Sequence, residues 1–160
     1  MQKKIRILAV APYEGLKALI AKVCAEEFPQ IDLTVVVGDW KSGLRAAQAN
    51  LYKDYDIIIS RGGTALLLRE RLSIPVVDIP MTAYDILRAQ QLADNLSDRY
   101  AFVSFPNMAE NATLLKGILN WELNVFAYSM PPDNREIPEE LYALLEDLRS
   151  QGYSSILGDN

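Results

Sequence analysis

Residues 57–65 read IIISRGGTA. Three branched aliphatics, Ile57 to Ile59, run straight into Ser60, Arg61, Gly62 and Gly63. A continuous apolar run this short fits a strand buried on both faces, as in a parallel sheet covered by helices. A guanidinium and two flexible residues at its end then stand where such sheets meet their ligands, beyond the carboxyl ends of the strands.

The rest of the chain repeats the same alternation. Ile5–Ala11 reads as a strand and Glu14–Phe28 as a helix, with Pro29 just beyond it. Ile31–Val37 is the second strand, and a helix over Lys41–Tyr52 leads to the third, Asp56–Ser60. A short helix Thr64–Arg71, a strand Ile74–Ile79 and a helix Thr82–Asn95 follow. After the polar link NLSD the pattern resumes: strand Tyr100–Ser104, helix Met108–Leu119 and strand Asn124–Tyr128. In IPEELYALLEDLRSQG, Leu141, Leu144, Leu145 and Leu148 fall on one helical stripe, with Pro138 in the first turn and Gly152 as the cap. Ser154–Leu157 is the last strand.

Aliphatic strands alternating with helices imply βαβ units with right-handed crossovers. The expected fold is α/β: two Rossmann-like or flavodoxin-like lobes with parallel sheets, residues 1–96 and 97–160. The second lobe is expected to be incomplete, because the sequence stops on a strand and a glycine. An exposed sheet edge there would favour a homodimer.

Composition removes several functions. The formal charge is −5, and no Lys/Arg run is visible, so direct nucleic-acid binding by this chain is not expected. There is no histidine, and Cys24 is the single cysteine, so His-dependent catalysis and the usual zinc sites are not expected, nor any cofactor. Cys24 follows Leu16, Leu19, Ile20 and Val23 at helical spacing and reads as a small core residue. No apolar segment is long enough to span a bilayer, and the opening MQKKIRILAVAPYEG fits a first strand better than a signal peptide. The expected location is the cytoplasm.

The candidate site is the loop SRGGT. Gly62 and Gly63 leave backbone N–H groups uncovered, Thr64 is placed to cap the next helix, and Arg61 offers a planar fork for a carboxylate or phosphate. Together they would cradle a small anion. Thr82 and Asn107, at two other strand-to-helix loops, are weaker ligand candidates. The same loop also fits a tight structural turn with Arg61 on a surface carboxylate. It matches neither the P-loop nor GxGxxG. Thr82 with Asp85 three residues on also fits a helix cap.

The stretch SRGGTALLLRERLSIPVVDIPMTAYDILRA resembles the N-terminal sensor domain of the propionate catabolism activator family, typically sigma-54-dependent transcriptional regulators. Ser60–Ala65, Arg69-Glu70, Ile74–Val77 and Tyr84–Leu87 carry the likeness, and YAFVSFPN and LRSQGYSSILGD extend it over nearly the whole chain. The resemblance implies two similar α/β lobes around a cleft that senses a small anionic metabolite, 2-methylcitrate in the activator that names the family. It also implies downstream ATPase and DNA-binding modules, which lie outside this sequence. An enzymatic alternative is a lyase or isomerase for organic acids, with Arg61 holding the carboxylate and Asp39 or Asp78 as base. A third is an interaction domain in which the loop is purely structural.

Overall fold

The computed structural model describes residues 4–129 and 138–158. The chain divides into two compact units, Met1–Pro80 and Met81–Asn160.

In the first unit, β1 (Arg6–Ala11), β2 (Asp32–Val37), β3 (Ile57–Ser60) and β4 (Val76–Asp78) form one parallel sheet in the order β2-β1-β3-β4. Strand β1 is central because both its faces are apolar, and Ile7 to Ala11 are all buried. Its even positions, Leu8 and Val10, join Ile58 in a core with Ala47 of helix α2 (Trp40–Asn50) and Leu68 of α3 (Gly62–Arg71). The odd positions face the opposite side, the side of α1 (Glu14–Glu27), whose Leu16 is buried. Registers tie Ala9 to Val35 on one side and to Ile59 on the other. The chain leaves β1 towards β2 and then crosses to β3 on the other side, so strand order switches between β1 and β3.

The loop after β2 is held by close backbone contact. A Cβ on Gly38 would sit 2.7 Å from the Cα of Gly43, and one on Gly43 would sit 2.6 Å from the Gly38 carbonyl oxygen and 2.7 Å from the Thr64 methyl. No larger residue fits at either position without moving backbone. The first turn of α2 is thereby pressed against the start of α3.

The second unit carries α4 (Ala83–Asp94), β5 (Tyr100–Ser104), α5 (Pro106–Leu119), β6 (Asn124–Ala127), α6 (Glu139–Ser150) and β7 (Ser155–Leu157). Its described strands form a parallel sheet in the order β6-β5-β7. Phe102 points to one side, into a core with Ile86, Ala112 and Leu123. Ala101 and Val103 point to the other, against Leu148 of α6. Helices therefore cover both faces. Helix α6 ends as its glycine suggests: Gly152 has φ 86°, its N–H donates to the Arg149 carbonyl, and the Tyr153 N–H reaches the Leu148 carbonyl.

Three sequence expectations shift. Helix α4 belongs to the second unit, so the division falls one helix before the expected 96/97 boundary; the cause is Ile86, buried with Phe102 rather than against the first sheet. Pro138 precedes α6 as its N-cap instead of lying in the first turn. Helix α3 begins at Gly62, not Thr64, because Arg61 already has the extended geometry of an N-cap. Among the described residues no helix is long and apolar enough to cross a membrane.

One buried group in the first core carries a stability test. The Tyr55 hydroxyl is buried and has no hydrogen-bond partner among the described residues. An unpaired buried hydroxyl costs about 1–3 kcal/mol. Tyr55→Phe is therefore expected to leave stability unchanged or raise it by about 1 kcal/mol in urea unfolding. A clear loss would mean that the hydroxyl has a partner.

Candidate functional site

The carboxyl ends of β1 and β3 flank the strand-order switch, where open parallel sheets form a crevice. The turn after β3 is set by Ser60. Its buried hydroxyl donates to the Val10 carbonyl at 2.8 Å, and its own carbonyl accepts the Ile79 N–H at 2.8 Å. The end of β3 is thus tied to both neighbouring strands.

Arg61 follows with φ −138° and ψ 150°, half-buried at the N-cap of α3. Among the described residues its guanidinium has no ion-pair partner. Gly62 takes φ 59°, the left-handed region where a side chain is strained, so a glycine is required here. Its N–H does not stand open. It points at Asp78 Oδ1 from the end of β4, 3.3 Å away. Gly63 continues the helix, buried.

Thr64 is not the cap of α3. It lies in the first turn, 1% exposed, and its hydroxyl is used twice: it donates to Asp39 Oδ1 at 2.8 Å and accepts the Trp40 N–H at 2.8 Å. That acceptor bond holds Trp40 at φ 47°, a conformation non-glycine residues rarely adopt. The Thr64 hydroxyl locks the β2–α2 loop to the β3–α3 turn. Its reach is physical: Thr64 Cγ2 is the group that would collide with a side chain on Gly43.

The remaining candidates lie in the second unit. Thr82 is the N-cap of α4, exposed, with its hydroxyl 2.7 Å from Asp85 Oδ2 and 3.2 Å from the Asp85 N–H. Its N–H also donates to that carboxylate, at 2.9 Å, so the reciprocal capping pair expected from the sequence is present. Asn107 occupies the first turn of α5, half-buried, after Phe105, whose ring lies 4.8 Å from that of Tyr128. The structure therefore brings Arg61, Gly62, Gly63 and Thr64 into one turn, while Thr82 and Asn107 belong to the other unit.

The sequence offers Asp39 and Asp78 only as alternative bases for an organic-acid enzyme. In the fold each accepts a hydrogen bond from the SRGGT segment, Asp39 from Thr64 and Asp78 from Gly62. The available signal was positional, an acid at the carboxyl end of each strand or loop beside β1 and β3. Elsewhere, the Tyr100 phenol at the amino end of β5 has its pKa raised, first by burial and then by the Asp94 carboxylate that accepts its hydrogen bond at 2.8 Å.

Two doubly wound parallel α/β units in tandem define the fold class. The propionate catabolism activator family matches residues 28–160, and the chain belongs to that family, a domain of transcriptional regulators. The fold is similar to the crystal structure of an NtrC family transcriptional regulator from Clostridium acetobutylicum, with a TM-score of 0.68 and 20% identity over 96% of this chain and 76% of that one. Among curated proteins, none matches.

Two substitutions test the local geometry. Gly62→Ala should cost about 1–2 kcal/mol of unfolding free energy, the penalty of a left-handed L-residue. Thr64→Val keeps the shape but leaves Trp40 N–H and Asp39 without their partner. It should cost about 1–3 kcal/mol and shift the tryptophan emission as Trp40 leaves its held conformation.

Proposed function

We propose that the chain is a non-enzymatic sensor domain that binds a small anionic metabolite, an organic acid of the methylcitrate type, with Arg61 as its main contact. The single observation that carries this reading is Arg61: a half-buried arginine that follows β3 at the β1/β3 switch, with no ionic partner among the described residues. A buried or half-buried cation is costly to leave unpaired, and its planar fork matches a carboxylate. Gly62 and Gly63 at the start of α3 add partial positive charge on the same side. Occupancy favours one arrangement of the domain, and that bias passes to the ATPase and DNA-binding modules that follow in the regulator. A homodimer is compatible with this scheme.

The enzyme reading has less support. Asp39 and Asp78, the two carboxylates proposed as base, each already accept a hydrogen bond that holds the turn together.

Isothermal titration with di- and tricarboxylates, phosphorylated metabolites and neutral controls tests the proposal. A charge-assisted contact is worth about 1.5–3 kcal/mol, so Arg61→Ala should weaken binding of the recognised acid about ten- to hundredfold. Unchanged affinity in a folded Arg61→Ala protein would remove Arg61 from the site. Turnover of the bound acid would replace the sensor reading with the enzymatic one.

A further inference from the structure

The second unit carries an apolar groove of about 200 Å³ where α4 meets α5. Met81, Ala83 and Ile86 line it from the start of α4, and Leu114, Leu115 and Ile118 from α5. Asn111 is the single polar side chain of that lining. A lining with one amide and no charged group does not suit an organic acid, whose site needs converging polar groups. Its rim stands out into solvent: Leu114 is 61% exposed and Ile118 is 79% exposed. Single exposed aliphatics are ordinary, but these two share one helix face and border a groove of the same character. A convex apolar rim beside a concave apolar groove suits a two-fold contact, in which one patch supplies both halves.

Gly117 lies on the same side of α5, three residues after Leu114 and next to Ile118. Among the described residues a Cβ there would meet no heavy atom within 4 Å, and its φ is not positive. Gly38 and Gly43, by contrast, are in backbone contact, and Gly62 and Gly152 have positive φ. A glycine inside a helix weakens it relative to alanine, so Gly117 costs the monomer stability with no return inside it. What the missing side chain offers is room for a second backbone to come close.

Charge selects the occupant. The chain carries −5, so a second copy is repelled unless the touching surfaces are free of charge. Helix α6, on the opposite face of the same sheet, sets Glu139, Glu140, Glu146 and Asp147 against Arg149 alone. Helices α4 and α5 together hold three acids and two bases, and none of those five residues lines the groove. Glu110 is the acid on the exposed side of α5. In an antiparallel crossing at Gly117, the helical rise of about 1.5 Å per residue puts the two copies of Glu110 about 20 Å apart. That is well beyond the screening length of about 8 Å.

We propose that the α4–α5 face is a homodimer contact, in which each copy lays the ridge of Leu114, Gly117 and Ile118 into the groove of the other. The contact is independent of Arg61 and of the sensor reading. Helices α4 and α5, 12 and 14 residues long, each turn one side outward. That falls short of the roughly 20–30 residues per partner of a standard interface, so the dimer is weak, with a Kd of about 10–100 µM.

Sedimentation equilibrium of the 160-residue chain, from micromolar to millimolar loading, tests the proposal. Circular dichroism first confirms the fold of each variant. Ile118→Glu places a carboxylate in the apolar contact and is expected to be monomeric throughout. Gly117→Ala is expected to raise the urea midpoint, because the helix gains, while weakening the dimer about tenfold, because the new methyl enters the contact. A purely structural glycine would not split those two readouts. Tyr52→Glu, at an exposed position of the first unit, is the control and should keep the wild-type Kd. A wild-type chain that stays monomeric overturns the proposal and leaves the groove to a different partner. A dimer of unchanged Kd in Ile118→Glu or Gly117→Ala overturns it as well and moves the contact elsewhere. So does an equal loss in Tyr52→Glu, which would mean that any added charge dissociates the pair.

Discussion

The Thr64 hydroxyl is the contact on which the carboxyl end of the first sheet depends. It is fully buried, donates to Asp39 and accepts from Trp40. Removing the acceptor would take from the Trp40 N–H its bond at the junction of two helices. Because the methyl of the same side chain rests against Gly43, and Gly43 in turn touches Gly38, the loops after β2 and β3 behave as one piece. That rigidity lets the Arg61 turn keep its shape although Gly62 and Trp40 both occupy left-handed backbone. Strain of this kind persists only where the surroundings over-determine it, and here they do.

A second constraint is the burial of β1 on both faces. A strand that apolar on either side must be central, so its neighbours lie left and right and the helices must divide between the faces. The switch in strand order is then unavoidable, and it falls between β1 and β3. The second unit reaches the same result with β5, whose Phe102 and Val103 enter different cores. In both units the two-sided apolar strand comes first and the topology follows from it.

This explains which features could be read in advance. Fully apolar strands such as IIIS and the leucine stripe of α6 declare themselves, because their periodicity is the cause of their burial. The resemblance in SRGGTA and IPVV, matched by family membership over residues 28–160, pointed to the regulatory class. What stayed hidden depends on partners distant in sequence. Thr64 looked like a cap because capping is local, whereas its true partners lie 24 and 25 residues away. The lobe boundary was misplaced for the same reason: NLSD is polar and loop-like, but α4 is assigned by where Ile86 is buried.

The charge balance limits how such a site can work. The chain carries a formal charge of −5, and the segment that carries Arg61 hydrogen-bonds two carboxylates, Asp39 through Thr64 and Asp78 through Gly62. The overall field therefore repels an organic acid instead of steering it. Screening confines that repulsion to about 8 Å at physiological ionic strength, so it bears mainly on the approach. In the proposed sensor, affinity would have to arise from short contacts at Arg61 and the start of α3. Selectivity there would rest on the planar fork of Arg61, a geometric demand that a point charge such as chloride does not meet.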